Sequence, residues 1–388
     1  MSNQPVDTQP SSVDDEVREQ WRRVVGRRSF LRGIGAAGVG AAAAATVPGG
    51  ALLAGTASAS TSISGGDAAI LRLLAAVELI ETDLWQQYNE LGGVDGGNPA
   101  YMAALSNLDG DMPQYISDNT DDEVSHARFL NAYLRSKGAR PVNLDEFRTL
   151  PSSRARGARQ VGRLTNLQSL NVDTSWYVRY RSGQNPDLGA HFPQAVDIRR
   201  QPAIPLSDSD TPPDLPAPVP PAGPQEARMQ AIANAAGFHF AYIEQGGSSL
   251  YSVMALKATS LEVLRIIVSI GGVETNHFSL WHDKAGNAVA QPLAGITDPQ
   301  TRVTFPDLNA KGGELNQTNL ILPEPCAFLD KDLPQCSIVR PTSDREGGAV
   351  ATIVSFTADR LFQGQSSKFF RTIHELAGEA DAASRHLR

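Results

Sequence analysis

The sequence predicts an all-α core, a four-helix bundle with a long crossover between its second and third helices and a loop-rich C-terminal extension ending in one more helix. Three observations predict it. Four long segments carry apolar residues at alternating three- and four-residue spacing, the signature of helices with one buried face. Two of these segments place Glu-x-x-His, at Glu123/His126 and at Glu274/His277, on faces that are otherwise apolar. The first and third segments also repeat each other. When "LIETDLWQQY" is laid on "YIEQGGSSLY", Glu81 falls on Glu244, each preceded by Ile and followed seven residues later by Tyr.

A chain of 388 residues with 41% apolar content can bury a substantial core as one elaborated domain. Its net charge of −8, without a long basic run after the N-terminal segment, argues against a nucleic-acid partner. The N-terminus sets Arg27 and Arg28 before Ser29, Phe30, Leu31 and Arg32, then an Ala/Gly-rich stretch ending in small residues. This resembles the twin-arginine export motif, with Gly26 where Ser or Thr usually precedes the pair. Residues 1–59 are therefore expected to be a signal peptide cleaved after Ala59, with the twin-arginine translocation machinery as partner. The mature chain is expected in the periplasm, outside the cell or at the cell envelope. A retained membrane anchor is the alternative, disfavoured by the glycines and by Pro48-Gly49-Gly50.

The bundle is expected over residues 60–283. Its first helix carries Leu74, Val77, Leu84, Trp85 and Tyr88 and ends at Gly92-Gly93, with Glu81 interrupting the apolar stripe. The second runs to Gly138, with Arg135 and Lys137 complementing the helix dipole, and holds Glu123 and His126 on its core face. Residues 139–225 read as the crossover, with the short aromatic stretch "TSWYVRY" and a closing proline run that is expected to be an exposed linker without a catalytic role. The third helix projects Phe240, Glu244, Ser248 and Tyr251 from one side. The fourth begins at Thr259, whose hydroxyl and Glu262 suggest a capping box, and continues through Val263, Ile267, Ile270, Glu274, His277 and Trp281. Residues 284–388 form the extension. In it Cys326 and Cys336, the only two cysteines, are free to pair after export, the alternative being two unpaired thiols. His374 lies near an apolar stripe of Phe370, Ile373 and Ala377 and reads as structural.

One Glu, Glu-x-x-His, one Glu and Glu-x-x-His on four successive helices make four carboxylates and two imidazoles facing one interior. Four ionised carboxylates in a dry core repel one another and suffer desolvation. Two divalent cations cancel their charge. The blander alternative is a bundle with solvated Glu/His faces. With this ligand set the chain resembles the ferritin-like superfamily, in particular exported bacterial ferritin-like domain proteins with a twin-arginine signal, from Asp67 to about Asp283. The resemblance implies Glu81, Glu123, His126, Glu244, Glu274 and His277 as metal ligands, Glu123 and Glu274 bridging, with iron as the metal and manganese the alternative. The repeat ranks Glu78 below Glu81, because the residue matching Glu78 in the third helix is Ala241. Glu78, Tyr88 and Tyr251 are then expected just behind the ligands. Gly246-Gly247 would permit close helix approach, a kink, or open space beside the metals.

The resemblance implies an oxygen- or peroxide-linked oxidoreductase of the oxidase, ferroxidase or catalase type. The alternatives are a metal-binding, storage or stress-related envelope protein without turnover, and a structural protein using metal as a folding staple.

Overall fold

The computed structural model describes residues 62–181, 193–210, 225–308 and 347–384, with short pieces between 310 and 337. Arg27, Arg28 and Ala59, the proline run over 211–224, and the expected Cys326–Cys336 pairing lie outside the described residues.

Helix α1 (Gly65–Gly92) starts where the Ser64 hydroxyl accepts from the Asp67 amide. It is followed by α2 (Pro99–Leu108), which has no counterpart in the sequence prediction because ten residues carry too short a periodic pattern. Asn98 caps it through the Tyr101 amide, Pro99 opens its first turn, and Tyr101, Leu105 and Leu108 are buried. Helix α3 (Met112–Ser136) ends just before Gly138, which takes the left-handed conformation at φ 70° that the chain needs to turn away. After α4 (Ser175–Arg181), the second hairpin consists of α5 (Arg228–Lys257) and α6 (Leu261–Asn287). The long contacts run between α1 and α3 and between α5 and α6, so the bundle is two hairpins, as the crossover requires.

Helix α5 is buried on almost every side, which its run of Ala231, Ala233, Ala235, Ala236, Gly237 and Ala241 permits by keeping the side chains small. The cap of α6 differs from the expectation. Ser260, not Thr259, accepts from the Val263 amide, while the Thr259 hydroxyl and amide donate to Asp67 of α1. Glu262 is exposed and pairs with Lys137 instead of closing a capping box. This contact ties the start of the second hairpin to the end of the first.

The described parts of the crossover up to residue 210 pack against the bundle. Trp176, Tyr177 and Tyr180 of α4 bury their rings against Phe238 of α5 and Phe278 of α6, which accounts for the aromatic stretch seen in the sequence. Its other anchor is Asp83 of α1. One carboxylate oxygen of this fully buried residue accepts from the amides of Leu164 and Thr165, both at 2.9 Å, and from the Thr165 hydroxyl at 2.8 Å. The other oxygen pairs with Arg148 at 2.6 Å.

Where the crossover rejoins the bundle, β1 (Gln225–Glu226) lies parallel to β2 (Ile296–Thr297), which pairs antiparallel with β3 (Thr304–Phe305). The buried Arg228 beside it holds Asp210 and Asp298. The extension supplies α7 (Ala349–Ala358) and α8 (Ser367–Ala382), two helices where the sequence predicts one. Helix α8 packs its Phe369, Ile373, Leu376 and Ala377 face toward α1. His374 lies off that face and is exposed, contrary to the structural role expected for it.

Asp83 should therefore hold the crossover down. Asp83→Ala leaves two buried amides without an acceptor and should cost roughly 3 kcal/mol in urea denaturation, with amide exchange accelerating first around Leu164 and Thr165.

Candidate metal centre

Midway along the bundle, carboxylates from α1, α3, α5 and α6 converge on two imidazoles. Two groups of side chains bring their ligand atoms within 4.8 Å of one another: Glu78, Glu123, His126 and Glu274, and Glu123, Glu244, Glu274 and His277. Glu123 and Glu274 belong to both. Within the first group, His126 Nδ1 lies 3.3 Å from an oxygen of Glu78, of Glu123 and of Glu274. In the second, His277 Nδ1 lies 3.1 Å from Glu123 Oε1 and 3.3 Å from Glu244 Oε2. The two oxygens of Glu123 thus face different imidazoles, the disposition a bridging carboxylate needs.

Helix geometry explains how α3 and α6 present these pairs. Residues three apart share a face, so Glu123 and His126, like Glu274 and His277, point into one interior. The first helix departs from the expectation. Glu81 is fully buried but stands outside both groups, and Glu78, one turn earlier, is the α1 carboxylate within reach of His126. The internal repeat sets Glu81 opposite Glu244, but Glu78 lies one turn away on the same helix, and the repeat does not report which of the two reaches His126. Tyr251, the α5 counterpart of Tyr88, donates its hydroxyl hydrogen to Glu78, whereas Tyr88 meets His239 at 2.7 Å and makes no hydrogen bond to the acidic groups. Tyr251 therefore stands behind a ligand candidate as expected, and Tyr88 does not.

Three groups that the sequence reading does not single out hold the cluster in place. Asn119 donates to Glu123 Oε1 at 2.8 Å and to Glu244 Oε1 at 3.0 Å, while its own oxygen accepts from Trp281 at 2.7 Å. Trp85 donates to Glu244 Oε1 at 3.0 Å. Asp122 lies 3.2 Å from His277 Nε2, so the imidazole has its outer nitrogen fixed and its inner one aimed at the carboxylates. Asn119 could have been found from its place four residues before Glu123, on the same helical face. Trp85 and Trp281 looked like ordinary core residues.

Burial and neighbouring charges dominate the electrostatics. Desolvation, reinforced by Glu274, Glu123, Glu78 and Glu244, pushes Glu81 well above the ordinary carboxyl range. Glu274 is raised in the same way by burial and by Glu123, and Glu244 is raised chiefly by burial. Burial takes Glu78 up to about 8 against the opposing pull of His126. Glu123 goes the other way: burial would raise it, but hydrogen bonds from His126 and His277 hold it below the ordinary range. The carboxylates in turn raise both imidazoles, overcoming a desolvation that would lower them. Protons are thus held where cations could replace them.

The donor set fits divalent metal. Both oxygens of Glu81 and Glu274 Oε2 are buried with no hydrogen bond, while Glu78 Oε2 and Glu274 Oε1 have only the single Nδ1 of His126 nearby, at 3.3 Å. Such oxygens are costly in a dry core unless something positive meets them. Oxygen and imidazole ligands suit iron and manganese alike. Gly247 makes room for the set, since a Cβ there would come within 2.6 Å of Glu274 Oε2. Gly246 faces Phe356 at an ordinary 3.7 Å, and α5 runs through both glycines as one helix. On the outer side, a cleft of about 600 Å³ between α3 and α6 reaches His126 and is walled by Phe129, Ile266, Ile270 and Val273.

The ferritin-like domain family matches residues 66–287, which span the whole four-helix bundle. No curated protein and no solved structure matches the chain.

Gly247→Ala tests the fit of Glu274. The added methyl should displace its carboxylate and weaken metal binding about tenfold or more in calorimetric titration, with the helical circular dichroism unchanged.

Proposed function

The chain belongs to the ferritin-like domain family, and from that premise we propose that it is an exported protein holding two divalent cations, iron or in second place manganese, for oxygen- or peroxide-linked redox chemistry. Glu78 and His126 would serve one cation, Glu244 and His277 the other, and Glu123 and Glu274 both. The observation that carries this reading is the convergence of buried carboxylate oxygens, several without any hydrogen bond, around two imidazoles. When bound, the metals would supply electrons to dioxygen or peroxide.

The chain's own residues have separable tasks. Tyr251 orients Glu78, Asn119 spaces Glu123 from Glu244, and Asp122 sets the tautomer of His277. Glu81 adds a fifth buried carboxyl beside the set, and neither of its oxygens has a hydrogen-bond partner among the described residues. The apolar cleft ending at His126 favours turnover over a purely structural staple, because a staple needs no opening to a ligand.

Two variants separate ligand from neighbour. Glu78→Gln should lower metal affinity on the order of a hundredfold and abolish oxygen uptake on adding ferrous ion, whereas Glu81→Gln should keep full metal content. Equal retention of metal in both variants would overturn the assignment of Glu78. Export is tested separately: an Arg27→Lys/Arg28→Lys chain should stay in the cytoplasm, and its normal appearance outside would refute the twin-arginine route.

A further inference from the structure

The cleft between α3 and α6 opens beside the acidic cluster but is built mostly of residues that no metal needs. Its α6 wall is a stripe of Ile266, Ile270 and Val273, and its α3 wall is Phe129 and Tyr133, whose rings stack with centroids 6.4 Å apart. Phe129 is 51% exposed, an uncovered ring at the edge of about 600 Å³ of open space. A lone exposed apolar side chain is ordinary. A half-exposed ring and an aliphatic stripe facing each other across a ligand-sized hollow mark a binding surface.

The two ends of the cleft differ in charge. At one end Lys137 binds Glu262 at 2.8 Å and lies over the Tyr133 ring at 5.4 Å, so the Glu262 carboxylate is already matched. Arg265, one turn further along α6, lines the same end and makes no ion pair or hydrogen bond with the described residues. It is the charge left over. At the other end stands His126, with oxygens of Glu78, Glu123 and Glu274 each 3.3 Å from its Nδ1. An anion placed there would face the acidic cluster, so the negative end of a ligand belongs at Arg265.

Between the ends the walls are apolar. From Arg265 to Val273 helix α6 rises about 12 Å, the length of an extended chain of about ten carbons. A second copy of this chain fits the feature poorly, because a two-fold contact would set the cleft opposite itself and one hollow does not fill another.

We infer that the cleft binds a single-chain aliphatic carboxylate, its head group on Arg265 and its alkyl chain laid between Phe129 and the Ile266, Ile270 and Val273 stripe, with the methyl end toward His126. Arginine suits the head, since a guanidinium meets a carboxylate through two parallel hydrogen bonds. The methylenes leave water for walls that are otherwise partly wet. The site borders the proposed metal centre without depending on it, as none of the residues that hold the head or the chain is a proposed ligand.

The test titrates decanoate into the full chain by isothermal calorimetry, below the concentration at which decanoate forms micelles, with metal-free and ferrous-loaded protein of measured metal content. Both should bind one decanoate per chain. Arg265→Gln should weaken decanoate about tenfold and leave decan-1-ol unchanged. Ser269→Trp, which sends an indole into the cleft from an exposed position, should abolish binding of both. Decyltrimethylammonium should bind at least about tenfold more weakly than decanoate. The absence of saturable heat up to about 1 mM overturns the inference, as does equal binding of the cation or full binding by Arg265→Gln. A chain that takes no decanoate yet sediments with phosphatidylglycerol vesicles has an anionic membrane surface as its partner, and the inference fails. Protein that binds decanoate but holds no metal keeps this site and loses the centre; the reverse loses only this site. Should Ser269→Trp fail to fold, as helical circular dichroism would show, Arg265→Gln and the cation still decide.

Discussion

Five acidic side chains buried in the middle of a helical bundle are the constraint on which the rest of this structure depends. Glu78, Glu81, Glu123, Glu244 and Glu274 are all fully buried, and each would repel the others if ionised without compensation. Hydrophobic packing has to overcome that cost, and a bare four-helix bundle has limited apolar surface to do it with. Here α1 and α5 are covered on their outer sides as well. Helix α8 lies on α1, α2 lies on α5, and the crossover is fastened down by Asp83. The described segments that make this chain longer than a plain bundle thus cover outer faces of the helices that carry the acidic residues. They do so with aromatic contacts such as Trp176 on Phe278 and with buried ion pairs such as Arg228 with Asp298.

Much of this was legible because helix periodicity is local. The four bundle helices, their pairing across a long crossover and the two Glu-x-x-His pairs follow from spacing that any three turns of helix impose. The choice between Glu78 and Glu81 did not follow, because the two lie one turn apart on the same helix and only the position of His126 in the fold separates them. Asp83 was hidden for a similar reason: its partners Leu164 and Thr165 lie about 80 residues away and offer backbone amides, which have no sequence signature. The missed caps are a smaller case. Thr259 and Ser260 are both good capping residues, and only the position of Asp67 decides between them.

The supporting hydrogen bonds give the cluster its rigidity. A single amide, Asn119, connects α3 to Glu244 of α5 and to Trp281 of α6, so three helices are placed relative to one another by one polar side chain. Trp85 and Trp281 stack with centroids 5.3 Å apart, which puts two indole N–H groups on the same side of the acidic set. An all-apolar layer would pack as well but would leave the carboxylates free to turn.

The cleft between α3 and α6 meets the interior at His126, while His277 has Asp122 at its outer nitrogen. The two halves of the cluster thus meet the surface differently, one at a cleft and the other beside a carboxylate. The walls of that cleft are mixed, with Glu262 and Arg265 beside Phe129 and Ile266, so a molecule entering meets both charged and apolar side chains on its way to His126.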